Sequence, residues 1–304
     1  MKKFSMTRLS LIAFAVLSII AVSCNEDNND GNPPAQSITD IVVSDPNFST
    51  LEAAVVKAGL ADALATTNPL TVFAPDNAAF TASGITEATI ASLSVAAVDS
   101  ILKYHVLAAF VTSTSVPASD AVTPLLGTKL FASSNANGVF VNGVKVKQAD
   151  ISASNGVIHV IERVLIPPTR TIAQIAAADT SFSFLVAAVT RVGLLSAISG
   201  PGKFTVFAPT NAAFRAAGIT DINAVPLATL DAVVKAHVLA TNVFASDLIN
   251  NTTAQTLQTG NIRITTPPAG VKIDGSTQPV SLIAVANITA TNGVIHVLSR
   301  AMLP

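Results

Sequence analysis

The chain is poor in most of the residues that carry chemistry. Its 304 residues include one cysteine, one tyrosine, three methionines, four histidines and no tryptophan. A lone cysteine excludes an intramolecular disulfide and a cysteine-clustered metal site. Only 12% of the residues are charged and the formal net charge is −1, which leaves no basic stripe for nucleic acid. The sequence contains no G-x-S-x-G nucleophile elbow, no phosphate-cradling glycine loop and no cofactor motif. Half of the residues are apolar, so core material is plentiful and comes mainly from Ala, Val, Leu and Ile.

Long hydrophobic runs are also scarce. The one candidate, Leu9 to Val22, follows Lys2, Lys3 and Arg8 and falls short of the roughly 20 residues a spanning helix needs. Small residues then lead to Cys24 in "AVSC", so residues 1–23 read as a secretory signal. The stretch resembles a bacterial lipoprotein signal, which implies a lipidated Cys24 at the mature N-terminus; "AVS" also suits an ordinary small-residue cleavage. Beyond residue 23 the charge is −4, from 14 cations against 18 anions. The polar "NEDNNDGNPPAQ" that follows has too little apolar surface to order itself. Residues 24–37 are therefore expected to be a flexible tether to the membrane. Acidic residues directly after such a cysteine resemble the surface-export signals of Bacteroidetes lipoproteins, which implies an exported, anchored protein at the outer membrane or cell surface.

The rest of the chain is written twice. "TVFAPDNAAF" at 71–80 returns as "TVFAPTNAAF" at 205–214, and "DPNFSTLEAAVVKAGL" from Asp45 aligns with "DTSFSFLVAAVTRVGL" from Asp179. "LKYHVLA" at 102–108 matches "VKAHVLA" at 234–240, and "NGVIHV" occurs at 155–160 and 292–297. The copies are offset by 132–137 residues, far beyond the roughly 20–50 of a solenoid. They are tandem domains, residues 38–167 and 171–304.

Each copy predicts the same elements. Ser49 and Glu52 have capping-box spacing before an apolar run, with Gly59 as a helix stop. Copy two keeps Ser183 and Gly193 but has Val186 for the glutamate, which predicts a weaker helix start. Within the decapeptide "TVF" is a strand, and Asp76 or Thr210 stands at an N-cap before "NAAF". A helix is expected over 95–104 with Val95, Val98 and Leu102 on one face. Asn142-Gly143, between β-branched runs, signals a hairpin. Helices in front and strands behind give an α+β class.

Together, "TVFAPDNAAF/TVFAPTNAAF", "YHVL/AHVL" and "NGVIHV" resemble the signature segments and the tyrosine–histidine motif of fasciclin domains, across both copies. The resemblance implies two wedges, each a two-sheet β-sandwich with several helices on one side. It also implies a non-enzymatic adhesion module, as in animal matrix, plant arabinogalactan and bacterial secreted members. In animal members the tyrosine–histidine segment is linked to integrin binding. That makes Tyr104, His105 and His237 the candidate adhesion motif, although Ala236 leaves copy two without the phenol. Against this stands a tyrosine that buries its ring and bonds its hydroxyl.

Asn77 and Asn211, with His159 and His296, are the structural signature. The asparagines are expected to bridge backbone groups at the strand-to-helix junction; the other reading has them touch a ligand. The four histidines, His105 with His237 and His159 with His296, admit a metal or acid–base pair in each domain. Their apolar strings lack further ligands at metal spacing, and Asp99 and Asp231 sit six residues before the first histidine of each pair. The expectation is four interior histidines bonded locally, whose charging between about pH 5 and 8 loosens the fold. Matrix, polysaccharide or another surface protein are the partner classes implied. An accessory envelope protein without its own ligand is the alternative, and a hydrolase of polysaccharide or ester the remote one.

Overall fold

The computed structural model describes residues 36–116, 120–258, 260–266, 271–274 and 281–303. The signal, Cys24 and nearly all of the tether lie outside the described residues. Ser37, assigned by sequence to the tether, already caps the first helix: its hydroxyl accepts from the Asp40 amide while Asp40 bonds the Ser37 amide.

The first repeat runs through α1 (Ile38–Ser44), α2 (Ser49–Ala58), α3 (Ala61–Thr66), β1 (Leu70–Pro75), α4 (Asn77–Ala82), α5 (Glu87–Ser92) and α6 (Val95–Tyr104). Strands β2 (Val106–Leu107), β3 (Asp120–Val122), β4 (Leu130–Asn135), β5 (Gly138–Val141), β6 (Val144–Ala153) and β7 (Gly156–Ile161) follow. The second repeat has α7 (Ile172–Ala178), α8 (Ser183–Arg191), α9 (Leu195–Ser199), β8 (Phe204–Pro209), α10 (Asn211–Ala216) and α11 (Leu227–Ala236). It closes with β9 (Val238–Leu239), β10 (Thr252–Gln255), β11 (Asn261–Thr265), β12 (Lys272–Asp274), β13 (Ser281–Ala290) and β14 (Gly293–Leu298).

Strand order in the first repeat is β2-β1-β7-β6-β5-β4-β3, and the second repeats it as β9-β8-β14-β13-β12-β11-β10. β1 and β7 pair in parallel, and their neighbours pair antiparallel. The two sheets of each sandwich are joined through the long strand β6 or β13, which shifts register twice against its partner. Such bulges bend and twist a strand.

β1 is buried at all six positions because it has core on both sides. Val72 and Ala74 join the helix-side cluster with Leu51, Val55 and Leu102. Phe73 points the other way, into a cluster with Tyr104, Leu130, Val141 and Ile161. This alternation is why the decapeptide's strand is buried throughout, and its one polar side chain, Thr71, donates its hydroxyl to the Ala109 carbonyl. Burying a side chain such as Val72 or Phe73 is worth about 1.5–3 kcal/mol.

The α2 start differs from expectation. Phe48 occupies the N-cap without a side-chain bond, and Ser49 and Glu52 form no box. Within α6, Val98 and Leu102 are buried, but Val95 is 55% exposed in the first turn. The expected hairpin forms, with Asn142 and Gly143 at φ +48° and +74°, the left-handed pair of a two-residue turn. The repeats meet directly within one compact unit. The Ser133 hydroxyl donates to Asp247 at 2.6 Å, the Asn135 amide to the Ser246 carbonyl at 2.8 Å, and Phe131 lies 6.0 Å from Phe244 between ring centroids.

Candidate functional site

The duplicated motifs converge on the junctions between elements. Asp76 caps α4 through the Ala79 amide at 2.9 Å, and Thr210 caps α10 through the Ala213 amide at 3.2 Å. The next residue reaches further. The Asn77 carboxamide accepts from the Thr50 amide at 3.1 Å and donates to the Pro46 carbonyl and the Ser49 hydroxyl, both at 3.0 Å. Asn211 makes the same three bonds to Phe184, Thr180 and Ser183. The first long helix of each repeat is thus capped from 27 residues away. The Ser49–Glu52 box is unnecessary, and Val186 costs copy two nothing in capping.

A second asparagine pair, not singled out from the sequence, does similar work. Buried Asn155 accepts from the Ile38 amide at the start of α1 and donates to the Leu64, Ala65 and Thr67 carbonyls at the end of α3. Asn292 likewise ties the Ile172 amide to the Ile198 and Gly200 carbonyls. Each satisfies orphan groups at two helix ends at once. The following glycine is fixed by space, since a Cβ on Gly156 would stand 2.0 Å from the Leu70 carbonyl oxygen, and one on Gly293 2.0 Å from that of Phe204. The repeated "NG" was the visible signal.

The histidines are interior groups with both ring nitrogens occupied. His105 Nδ1 lies 2.7 Å from the Ile101 carbonyl, and its Nε2 accepts from the Leu165 amide at 2.9 Å. His237 repeats this with Val233 and Met302. A carbonyl only accepts, so Nδ1 carries the proton and the ring is neutral. His159 and His296 use the opposite tautomer. Nε2 donates to Val111 or Val243, while Nδ1 accepts from the Asp150 or Asn287 amide. Their rings stack on Phe73 and Phe207. Burial lowers His105 and His237 to about 4 and lowers His296. Charging of His105 and His237 in the folded chain therefore falls near pH 4, below the expected range.

The candidate adhesion motif is also inside. Tyr104 is 1% exposed, His105 3% and His237 1%, so a partner meeting the folded surface does not touch them. The Tyr104 hydroxyl donates to the Lys129 carbonyl and accepts from Asn142, whose own carboxamide holds the Phe131 amide. Burial pushes this phenol up to about 12. The structure does not bring His105 and His159 together. Asp150 lies 4.0 Å from His159, but its counterpart beside His296 is Asn287. Asp99 and Asp231 pair with Lys103 and Lys235. Among the described residues no group of three or more His, Cys, Asp or Glu side chains could hold a metal.

A family model described as "Fasciclin domain" matches residues 46–167 and 180–304. The chain belongs to the fasciclin family. Its fasciclin domains are similar to Protein sll1483 of Synechocystis, 40% identical over 136 residues covering 44% of this chain and 75% of that protein. They are also similar to the transforming growth factor-beta-induced protein ig-h3 of Sus scrofa, 27% identical over 77% of this chain. Human periostin is 31% identical over 58%. The chain spans 34% of the length of that ig-h3 protein and 21% of periostin. Among solved structures, a domain pair from the insect cell adhesion molecule Fasciclin I aligns over 84% of this chain and 96% of its own, with TM-score 0.42 and 17% identity.

Proposed function

We propose that this fasciclin pair is a non-enzymatic adhesion module of the cell envelope, exported and held at the membrane by a lipid on Cys24. The observation that carries the reading is the division of labour in each repeat. The recurring asparagines and histidines are spent on backbone groups inside the fold, which leaves recognition to the surface. Two linked domains that engage one ligand array gain avidity over either alone. Matrix, polysaccharide or a protein of a neighbouring cell are the partner classes.

Two experiments test this. Protease shaving of intact cells, with mass spectrometry of the mature N-terminus, is expected to release fasciclin peptides and show acylated Cys24. An unmodified N-terminus elsewhere overturns the anchor. Deleting the gene is expected to lower attachment to matrix- or glycan-coated surfaces; unchanged attachment overturns the adhesive role.

A further inference from the structure

Between the repeats lies an open cleft of about 690 Å³, walled by the start of β6, the segment after β7 and the bulged middle of β13. Lys145, Glu162 and Arg163 stand on one wall, and Asn287 and Thr289 on the other. The three charged side chains are exposed, and none is hydrogen-bonded or ion-paired within the described residues. Several other cations are engaged. Lys57 caps three carbonyls, Arg191 two, Lys147 pairs with Asp76, and Lys103 and Lys235 pair along their helices. Lys129, Arg170 and Lys203 also stand without a side-chain partner among the described residues; what sets Lys145 and Arg163 apart is that both line this one cleft.

Lys145 and Glu162 are fixed as neighbours, because the Glu162 amide donates to the Lys145 carbonyl at 3.0 Å. Across the cleft, the Asn287 carboxamide oxygen is used by the Ala245 amide, and its nitrogen donates to no described group. The wall thus offers a guanidinium and an ammonium for a carboxylate, a carboxylate to accept from hydroxyls, and an amide to donate. A cleft between domains is a favoured place for a ligand, and guanidinium geometry suits a carboxylate.

We propose that this interdomain cleft binds an acidic saccharide, with a uronate carboxylate on Arg163 and Lys145 and ring hydroxyls on Glu162 and Asn287. A neutral sugar leaves both cations unmatched. A polyacidic peptide brings a second carboxylate against Glu162 and has no hydroxyls to offer it. The inference deepens the adhesion reading, on which it rests for its setting, by naming a ligand class and a site.

The test is calorimetric titration of the full chain with oligogalacturonate, with neutral dextran and polyglutamate as comparison probes. The variants are Lys145→Ala/Arg163→Ala and, as a control at an exposed cation outside the cleft, Lys203→Ala. The exposed cleft cations have no hydrogen bond or ion pair within the described residues to lose, so equal melting temperatures are expected. The proposal expects oligogalacturonate to bind, the double variant to bind at least tenfold more weakly, and Lys203→Ala to match the parent. No binding by the parent, equal binding by the double variant, an equal loss in Lys203→Ala, or tighter binding of dextran or polyglutamate overturns it. A chain that supports cell attachment yet ignores oligogalacturonate sinks the cleft alone. A chain that binds the oligomer but supports no attachment sinks the adhesion reading instead.

Discussion

Asn77 and Asn211 each convert one side chain into three bonds at a helix start 27 residues away. A single cap is worth about 1 kcal/mol, and truncation here leaves more than one partner unmet. Asn77→Ala or Asn211→Ala is therefore expected to cost about 2 kcal/mol, read as a lower urea midpoint at unchanged slope. The glycines divide by mechanism. Gly156→Ala drives a methyl into the Leu70 carbonyl and is expected to cost more than about 3 kcal/mol. Gly59, left-handed at φ +68° with no atom within 4 Å of a built Cβ, is expected to cost only about 1 kcal/mol as alanine.

The histidines set the acid limit of stability. His105 and His237 are held near 4 by burial, against 6.5 for the free side chain. Below pH 6.5 the unfolded chain takes up protons that the folded chain refuses. Stability present at pH 7 is thus lost as pH falls from about 6.5 to 4, by roughly 3 kcal/mol per histidine. Denaturant melts across that range are expected to show the fall. Replacing either histidine by Gln should flatten it while lowering stability at pH 7, because the ring bridges two backbone groups. A full slope in the double Gln variant contradicts this account.

At the scale of elements, the sequence was most legible where the determining contacts are local. Asp76 and Thr210 cap the next three residues, α6 runs over the expected 95–104, and Asn142-Gly143 turns a hairpin. It was least legible where a residue serves an element far along the chain. The spacing of Ser49 and Glu52 fitted a capping box, but Asn77 had the geometric advantage, and nothing within four residues of Ser49 announces that. Val95 fits the helical stripe of Val98 and Leu102, yet it lies exposed in the first turn of α6 while they are buried. Asn142 read as a turn residue and is also the link between β4 and Tyr104. Asn142→Gly keeps the turn but removes both bonds, so it is expected to cost about 1–3 kcal/mol, measured by thermal unfolding.

At the scale of the molecule, repetition dictates two copies of one interior but not the joint between them. The joint uses Ser133, Asn135 and Phe131 from one repeat and Phe244, Ser246 and Asp247 from the other. In the sequence these positions look like ordinary strand and loop residues. Asp247 accepts from the Ser133 hydroxyl and also from the Phe244 amide. Asp247→Ala is expected to speed hydrogen exchange at 131–135 and 244–247 while the helices of both repeats keep their protection. Asn287, on one wall of the cleft, accepts from the Ala245 amide beside Phe244, so the joint bears on any ligand seated there.

The central claim is that the motif residues build the interior and the outer surface does the binding. Attachment of cells to the immobilised full chain, compared between the parent and Tyr104→Phe, tests it most directly. Loss of the buried hydroxyl, which holds Lys129 and Asn142, is expected to lower stability by about 1–2 kcal/mol and leave attachment within twofold of the parent. Attachment abolished in a variant that remains folded at the assay temperature would contradict the account.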